Sequence, residues 1–373
     1  MSIIFAMLAV VLSGGLGTRL RPLTYTVPKQ LVPVLNRPLM EHLLVHLGGH
    51  GVDAVVIAGS AGNRAVEERF GDGAALGVAL RYSYEDRPLG SGLAVKQAAR
   101  GLKETFFVLN GDIVTDADLT AMLRRHREGG AALSIMLHPV DEPWHFGVAE
   151  LGSAGRIVGF TEKPPRGTEK SNLINAGVWI FEPELLDLVP DDERAIMDGY
   201  LERRVFPDLI ASGATVLGFV DEGAYWIDVG SPERYLQVNL DLLATAAAES
   251  VAEGTALLLE AGASVHGDAY VAGPALVGTD ASVAREARLL GPCVLGPGCS
   301  VGEGATVEES VLWEGAAVDA AAVIRRSVLG RRVRVGEGAV VVGGVLADDV
   351  TVAPGVIVPE ETRANPGTVF TPR

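Results

Sequence analysis

The sequence predicts an α/β domain followed by a triangular prism of short β-strands. Its 373 residues correspond to two or three domains of ordinary size. In residues 1–240, segments with helical spacing of apolar residues alternate with short runs that are apolar throughout. After residue 263 the pattern changes to an aliphatic residue at every sixth position. Residues 241–262, rich in Ala, Leu and Glu, are expected to form a helical connector between the domains 1–240 and 263–373.

The first domain contains a regular succession of predicted elements. The runs that predict strands are Leu8–Leu12, Val52–Ala58, Thr105–Leu109 and Ala132–Leu137. The segments that predict helices are Pro38–Leu47, Val66–Phe70, Leu93–Arg100 and Asp116–Arg127. Strands that are apolar throughout indicate a mostly parallel sheet covered by helices on both faces. We therefore expect the functional loops at the carboxyl ends of these strands.

The tail repeats with a period of six residues. The aliphatic positions are Val265, Val271, Val277, Val283, Leu289, Leu295, Val301 and Val307, and then Leu312, Val318, Ile324, Leu329, Val335, Val341, Leu346, Val352 and Val358. Three such hexads form one triangular coil with each aliphatic side chain inside the prism. A slip of one residue at every third step makes each later coil one residue shorter than three full hexads. The pattern resembles the hexapeptide repeats of left-handed parallel β-helices, which often mediate assembly, so we expect a homo-oligomer.

Composition excludes several classes of protein. The chain has 31 basic and 47 acidic residues, a net charge of −16, which excludes a protein that coats nucleic acid. Its longest apolar run, Ile3–Leu12, has ten residues, half of what a membrane span needs, and predicts a buried strand. Cys293 and Cys299 cannot form a disulfide framework, and we expect them to be small wall residues of the prism. We expect a cytoplasmic protein.

A glycine-rich segment, Ser13–Thr18, follows the first predicted strand. Glycines let a backbone approach a phosphate closely, and exposed N–H groups can then bind its oxygens. The segment lacks the lysine of a Walker A loop and the third glycine of a dinucleotide-binding turn. Residues 1–40 have four basic side chains and no acidic one, a charge of +4. This local positive charge favours a small polyanionic ligand. The alternative is that the glycines only form a tight turn and that the four cations are solvated. The four are Arg19, Arg21, Lys29 and Arg37.

Eight motifs of the first domain resemble the signature of the sugar-1-phosphate nucleotidylyltransferases. They are Ser13–Thr24 (SGGLGTRLRPLT), Pro28–Val34 (PKQLVPV), Pro88–Gly90, Asn110–Asp112 (NGD), Phe146–Val148, Phe160–Pro164 (FTEKP), Asn175–Gly177 and Trp226–Gly230 (WIDVG). Together with the repeats, the resemblance covers nearly the whole chain. Within this family, the sequences of three segments are most similar to those of the mannose-1-phosphate guanylyltransferases, namely FGVAE, NLINAGVWIFEP and YWIDVGSPERYL. The resemblance implies a Rossmann-like nucleotidyltransferase sandwich with a C-terminal left-handed parallel β-helix.

The implied reaction joins two anions. An oxygen of a sugar 1-phosphate attacks the α-phosphorus of a nucleoside triphosphate, and pyrophosphate leaves. A phosphate oxygen is already negative and needs no general base, so the site must position two polyanions and neutralise their charge. Cationic side chains and a divalent metal, expected to be Mg²⁺, supply that neutralisation.

The resemblance also assigns residues to the nucleotide. Those expected to bind it are Leu12, Gly14, Gly15, Gly17, Thr18, Arg19, Gly90 and Asp112, with Gly90 against the nucleobase. Arg19 and Lys29 are expected on the triphosphate and Lys163 on the phosphate of the sugar, and these three are the expected catalytic residues. The chain has only five lysines, and two of them fall at phosphate positions.

Further matches concern the sugar and the metal. Gly147, Glu162, Lys163 and Asn175 are expected to bind the sugar phosphate, with Glu162 accepting hydrogen bonds from hydroxyls and Gly147 leaving room for the ring. Asp112 and Asp228 are expected to hold Mg²⁺, which prefers oxygen ligands. Either aspartate alone could instead cap a turn or a helix.

The substrates implied are GTP and mannose 1-phosphate, with alternatives. Gln30, after Lys29, is more usual in the thymidylyltransferases of the family, whereas guanylyltransferases often have Pro at this position. Thymidylyl transfer, or transfer to another sugar or a cyclitol phosphate, therefore stays open. A non-catalytic regulatory subunit that binds NDP-sugar is the alternative from another class. A third is an additional acyltransferase activity on the β-helix, where His266 is the one histidine.

Overall fold

The computed structural model of the protein describes residues 7–62, 64–250 and 256–372. The chain divides into two compact units that do not follow chain order. The sheet unit comprises the residues up to Gly15 and Met40–Ile227, and the β-helix unit comprises Leu16–Leu39 and Asp228–Arg373. The predicted strand Ile3–Leu12 is described from Met7, and its first four residues lie outside the described part. None of the described helices has the length and apolar character needed to cross a membrane.

Helices and strands alternate up to residue 250. They are β1 (Met7–Leu12), β2 (Pro33–Val34), β3 (Arg37–Pro38), α1 (Leu39–Gly49), β4 (Val52–Ser60), α2 (Ala65–Phe70), β5 (Ala79–Glu85), α3 (Gly90–Ala98), β6 (Phe106–Asn110), β7 (Ile113–Thr115), α4 (Leu119–Glu128), β8 (Leu133–Pro139), β9 (Gly147–Leu151), β10 (Ile157–Glu162), β11 (Leu173–Phe181), α5 (Phe206–Ala211), β12 (Val216–Val220), β13 (Trp226–Asp228) and α6 (Pro232–Ser250). The predicted strands and helices of the first domain are confirmed within about three residues.

Local chemistry explains where two of the helices begin. Helix α4 begins after Asp118, whose side chain accepts a hydrogen bond from the N–H of Ala121 at 2.8 Å and caps the helix. Helix α6 begins at Pro232, because the missing N–H of a proline costs nothing in the first turn. This start lies well before residue 241, where the composition predicts the helical connector to begin.

The sheet unit is built on a nine-stranded mixed sheet. Its order is β10-β9-β11-β6-β1-β4-β5, with β8 beside β11 and β12 beside β8. Strands β6, β1, β4 and β5 are parallel, whereas β11 runs antiparallel to β6, β8 and β9. The expectation of a mostly parallel sheet is therefore correct for one half only. A strand that is apolar throughout is buried on both faces of the sheet. In this sheet the antiparallel strands are buried in the same way as the parallel ones, so the apolar pattern does not reveal strand direction.

This sheet brings the predicted motifs to one edge. Strands β1, β4, β5 and β6 all end there, so that Gly14, Gly15 and Asp112 follow strand ends at the same edge. Because β11 runs in the opposite direction, its first residues, including Asn175, lie at this edge too. The edge is where the ligand sites of open α/β sheets are expected.

The β-helix unit contains three parallel sheets. Their strands are β14 (Leu257–Leu259), β15 (Ser264–Val265), β16 (Tyr270–Ala272), β17 (Ala275–Val277), β18 (Ser282–Val283), β19 (Arg288–Leu290), β20 (Cys293–Leu295), β21 (Ser300–Val301), β22 (Thr306–Glu308), β23 (Val311–Leu312), β24 (Ala317–Val318), β25 (Val323–Arg325), β26 (Val328–Leu329), β27 (Arg334–Val335), β28 (Val340–Val342), β29 (Val345–Leu346), β30 (Thr351–Val352), β31 (Arg363–Ala364) and β32 (Val369–Phe370). Each strand pairs with the one three positions later in most coils, as in a left-handed β-helix.

The register confirms the repeat read from the sequence. Val277 pairs with Leu295, which lies three full hexads further along the chain. Leu295 in turn pairs with Leu312, which lies one residue short of three hexads. The aliphatic positions from Val277 onward are buried in one continuous core. Cys293 and Cys299 are confirmed as buried members of that core, and burial raises the pKa of each thiol to about 12.

The helical connector is shorter than the sequence predicts. Leu257–Leu259, inside the range expected to be helical, instead forms β14 and pairs with Ala275–Val277. A run of three aliphatic residues is compatible with a helix or a strand, and here pairing with the next coil stabilises the strand.

Candidate active site

Glu162 lies opposite Gly147, where β10 ends and β9 begins. A Cβ atom on Gly147 would lie 2.7 Å from Glu162 Oε2 and 2.5 Å from Cζ of Phe160. Gly147 thus makes room for the carboxylate of Glu162, a reason for glycine that the sequence alone does not give. Lys163 follows with a φ of 48° and donates its backbone N–H to the oxygen of Phe146 at 2.9 Å.

Glu162 and Lys163 form an ion pair at the sheet edge. Nζ of Lys163 lies 3.6 Å from Oε1 of Glu162, and the side chains of Lys163 and Glu162 are 54% and 13% exposed, respectively. Burial raises the pKa of Glu162, and the charges of Lys163 and Arg203 oppose that rise. The pair therefore offers a largely buried acceptor and an exposed cation side by side, which suits a sugar hydroxyl and a phosphate.

Asn175 is fixed by its neighbours on β11. Its Oδ1 accepts hydrogen bonds from the N–H of Gly177 at 3.1 Å and from Nε1 of Trp179 at 2.8 Å. Both partners are donors, so the side-chain oxygen must face them and the amide Nδ2 is the donor that remains. The preceding residue, Ile174, pairs with Val148, next to Gly147. The structure thus brings Asn175 near the other residues expected to bind the sugar.

The first glycines of the glycine-rich segment follow β1. Leu12 pairs with Ala58 on one side and Asn110 on the other, and its oxygen accepts a hydrogen bond from Gly111 at 2.8 Å. A Cβ on Gly14 would lie 3.2 Å from Oε1 of Glu85, whereas one on Gly15 would meet nothing within 4 Å. The backbone at Gly15 is therefore open to a ligand. Asp112 is partly buried and follows at once after Gly111.

Gly90 has a structural reason of its own. It begins α3 with a φ of 76°, and a Cβ there would lie 2.2 Å from the backbone oxygen of Met197. Only glycine fits such a conformation with so close an approach. The expected contact of Gly90 with a nucleobase stays a prediction.

In the β-helix unit, residues 16–39 form a segment that we call the cationic loop. It contains the four basic residues named above and no acidic residue. Gly17 has a φ of 60°, and its oxygen accepts a hydrogen bond from Oγ1 of Thr24 at 2.7 Å. A Cβ on Gly17 would lie 3.0 Å from the Cβ of Lys29. Lys29 is buried, with 7% of its surface exposed. Gly17 and Lys29 are thus brought together, and Thr18 begins the short 3₁₀ turn Thr18–Leu20.

The side chains of Asp228 and Arg19 both lie close to Gly230. A Cβ on Gly230 would lie 2.7 Å from Oδ2 of Asp228 and 3.6 Å from Nη2 of Arg19. The Asp228 side chain is 15% exposed and forms an ion pair with Arg234. The other expected metal ligand, Asp112, belongs to the sheet unit.

Sequence reasoning missed one carboxyl group of the sheet unit. Glu202 lies in the π-helical turn Leu201–Val205 and accepts a hydrogen bond from Oγ of Ser91 at 3.2 Å. Burial, together with the negative charges of Glu162 and Asp198, raises its pKa to about 7. No spacing or motif signals this residue, since it becomes notable only when the fold brings it near Glu162.

The sequence profile described as "Nucleotidyl transferase" matches residues 8–245. The chain belongs to this family. A second profile, described as "GMPPB C-terminal domain", matches residues 271–366.

Three known proteins illustrate the similarity. The mannose-1-phosphate guanylyltransferase of Mycobacterium tuberculosis is 36% identical over 277 residues, 72% of this chain and 74% of that protein. The UTP–glucose-1-phosphate uridylyltransferase of Synechocystis is 36% identical over 245 residues, 62% of each chain. A solved UDP-glucose pyrophosphorylase of Acinetobacter baumanii has a TM-score of 0.56 at 22% identity and covers 63% of this chain and 93% of its own, which shows the fold alone.

The protein is thus an enzyme that forms NDP-sugar from a sugar 1-phosphate. Nucleotidyltransferases of this family use a divalent metal. Within residues 7–62, 64–250 and 256–372, no group of three or more His, Cys, Asp or Glu side chains is placed to hold a metal ion by itself.

Proposed function

We propose that this nucleotidyltransferase transfers GMP from GTP to mannose 1-phosphate and releases pyrophosphate. The observation that most directly supports a sugar 1-phosphate as the second substrate is the pair Glu162–Lys163 beside Asn175 at the sheet edge. An acceptor carboxylate, a donor amide and an exposed ammonium match a hydroxylated ring with a phosphate. The similarity to a mannose-1-phosphate guanylyltransferase over 72% of the chain supports mannose and GTP.

In this mechanism the chain acts by positioning and neutralisation. The backbone of Gly14 and Gly15 approaches the nucleotide, and Arg19 and Lys29 neutralise the triphosphate. Lys163 holds the phosphate of the sugar so that its oxygen can attack the α-phosphorus, and pyrophosphate leaves opposite. Holding two polyanions in line removes much of the entropic barrier, and no side chain needs to accept a proton.

Asp112 and Asp228 are the residues proposed to hold Mg²⁺. Both are carboxylates, and oxygen donors are what Mg²⁺ prefers, with phosphate oxygens and water completing its shell. The donor set contains no nitrogen or sulfur and therefore fits Mg²⁺ better than a softer metal. When bound, the ion would supply positive charge at the phosphate oxygens.

A second candidate differs in the nucleobase. Gln30 is 4% exposed, next to Lys29, and is the residue more usual in thymidylyltransferases of the family. The similarity to a uridylyltransferase, at the same 36% identity, also favours a pyrimidine nucleotide. Transfer of UMP or dTMP, or transfer to another sugar or a cyclitol phosphate, is therefore the alternative to be tested.

The test is a panel assay of pyrophosphate release. Each of GTP, UTP, dTTP, ATP and CTP is combined with Mg²⁺ and with mannose, glucose or cyclitol 1-phosphate. We expect the highest kcat/KM for GTP with mannose 1-phosphate. Preference for UTP or dTTP would replace guanylyl transfer by the second candidate, and absence of release across the panel would overturn the assignment and favour a regulatory subunit.

Location and assembly are proposals of the same kind. Two buried cysteines without a disulfide suit a reducing cytoplasm. The β-helix is proposed to assemble the chain into a homo-oligomer, which the sedimentation coefficient of the purified protein would test.

A further inference from the structure

The cationic loop is not an isolated surface loop but is packed within the β-helix unit. Two of its apolar side chains, Leu16 and Tyr25, are exposed. Those that are buried are Leu20, Leu23, Val27, Val32, Val34 and Leu39. Buried apolar side chains fix where the loop lies, but they are non-directional and set its orientation only coarsely. The polar contacts of the loop are therefore the ones that can determine where its cations point.

One of these polar contacts is made by a buried carboxylate, Asp348, at the turn between β29 and β30. Its side chain is 3% exposed. Oδ1 accepts a hydrogen bond from the N–H of Arg331 at 2.8 Å, in the preceding coil. Oδ2 accepts one from Oγ1 of Thr26, in the cationic loop, at 2.9 Å. One carboxylate thus joins two coils of the β-helix to the middle of the loop.

The hairpin at the end of the loop has anchors too. Nδ2 of Asn36 donates to the backbone oxygen of Leu295 at 3.2 Å and to Oε1 of Glu260 at 3.3 Å. The N–H of Leu35 donates to Oδ1 of Asn239 at 2.9 Å. These contacts hold β2 and β3 against α6 and the first coils.

A tyrosine–tryptophan pair completes the attachment. The hydroxyl of Tyr235, on α6, donates to the backbone oxygen of Pro33 and accepts a hydrogen bond from Nε1 of Trp313 at 2.7 Å. Both aromatic rings are buried. The loop is therefore connected to the β-helix through side chains that are far from Arg19 and Lys29 in the sequence.

Such anchors meet a physical need of the loop. Four positive charges without a negative one repel each other, so an unanchored loop would spread its cations apart. A loop that binds triphosphate must instead hold them in place before the ligand arrives, because ordering on binding lowers affinity. Anchoring on a rigid β-helix removes that cost.

We propose that the β-helix positions the nucleotide-binding cations of the enzyme, with Asp348 as the positioning residue through Thr26. This inference rests on the proposed function, in which the cationic loop binds the triphosphate. It gives the C-terminal repeats a role in catalysis within one chain, separate from any role in assembly.

The closing experiment compares steady-state constants for both substrates. Thr26→Val removes the hydroxyl and keeps the shape of the side chain, and Asp348→Ala removes the carboxylate that accepts its hydrogen bond. For each variant we expect KM for the nucleotide to rise about three- to ten-fold, the worth of one hydrogen bond. KM for the sugar 1-phosphate should stay within two-fold. If the changes only destabilised the protein, the number of active molecules and hence the apparent kcat would fall, and neither KM would change.

Two matched controls and a double variant sharpen the test. Thr245→Val removes an exposed hydroxyl of α6, and Asp349→Ala removes an exposed carboxylate at the same turn as Asp348. Both should leave either KM unchanged. The variant with Thr26→Val and Asp348→Ala together should show no more than the effect of Asp348→Ala alone, because that change already removes the hydrogen bond of Thr26.

The outcomes separate this inference from the proposed function. If the wild-type enzyme turns over but Thr26→Val has the same KM for the nucleotide as Thr245→Val, the inference is wrong and the proposed function stands. Effects of the two changes that multiply in the double variant would also overturn it. Absence of turnover in the wild-type protein would overturn the proposed function, and the inference with it.

Discussion

The two units differ in how strictly one packing rule governs them. In the β-helix the aliphatic positions from Val277 to Val358 recur at intervals of six residues, or five where a coil is shortened, and all of them lie in the core. In the sheet unit, the atoms that exclude a Cβ differ from one glycine to the next. They belong to Met197 at Gly90, to Phe160 and Glu162 at Gly147, and to Asn110 at Gly177. The regular unit thus reveals its structure in its sequence, and the irregular one contains most of the predicted chemistry.

This comparison predicts that the largest loss of activity follows from changes at the two aspartates proposed to hold the metal. For Asp112→Asn and Asp228→Asn we expect kcat to fall about 10³-fold, because removal of a charged group that stabilises the transition state costs several kcal/mol. Pyrophosphate release measures the loss. Circular dichroism should show an unchanged fold.

The matched controls for this prediction are exposed aspartates, one from each unit. Asp187→Asn in the sheet unit and Asp319→Asn in the β-helix unit should retain full turnover. Survival of activity in both Asp112→Asn and Asp228→Asn would remove the metal assignment.

The next largest effect is expected on stability, in the β-helix. Ile324 is fully buried in the prism, and Ile324→Ala should lower the free energy of unfolding by about 2–5 kcal/mol through the cavity that it leaves. Its neighbour Val323 is only partly buried, and Val323→Ala should cost much less. Urea denaturation followed by circular dichroism compares the two. Equal losses would contradict the inside–outside pattern of the repeat.

A change in the sheet unit should act mainly on substrate binding. The backbone of Gly147 tolerates alanine, but a Cβ there would displace the carboxylate of Glu162 and the ring of Phe160. We expect Gly147→Ala to raise KM for the sugar 1-phosphate about ten-fold, the worth of one strong hydrogen bond. Gly49→Ala is the control, since a Cβ at Gly49 meets no atom within 4 Å. An unchanged KM in Gly147→Ala would show that Glu162 does not bind the sugar.

The last prediction concerns the pH dependence of stability in the sheet unit. Burial raises the pKa of Glu202 to about 7, so between about pH 4.5 and pH 7 the unfolded chain ionises this group while the folded protein keeps it protonated. The wild-type protein therefore loses stability over this range as pH rises. Glu202→Gln cannot ionise.

The stability of Glu202→Gln relative to wild type should consequently increase from pH 4.5 to pH 8 by about 3 kcal/mol. Thermal or urea unfolding at both values measures the change. The exposed Glu184, changed to Gln, should show a difference that does not vary with pH. The same flat profile for Glu202→Gln would show that Glu202 ionises normally in the folded protein.

The sequence revealed the fold where local pattern and final environment coincide. The hexads from Val277 to Val358 predicted both burial and the shortened coils, because each position repeats the same contact. The antiparallel course of β11 was not predictable, since a strand that is apolar throughout has no mark of direction. Leu257–Leu259 looked like the end of a helix until its pairing with the next coil was known.

The candidate site was predictable only as a set of residues. The family resemblance pointed to Glu162, Lys163 and Asn175, and the fold brings these three to one edge of the sheet. Spacing could not show that Gly147 makes room for Glu162, because that contact arises from the pairing of β9 with β10. Nor could it show that Asp348, near the opposite end of the chain, accepts a hydrogen bond from Thr26.

The most direct measurement of the central claim is ³¹P NMR of the purified enzyme with GTP, mannose 1-phosphate and Mg²⁺. Attack on the α-phosphorus predicts equal amounts of pyrophosphate and of a nucleotide sugar with two coupled phosphorus resonances. Loss of GTP with release of orthophosphate, or unchanged signals of mannose 1-phosphate, would contradict guanylyl transfer to this sugar.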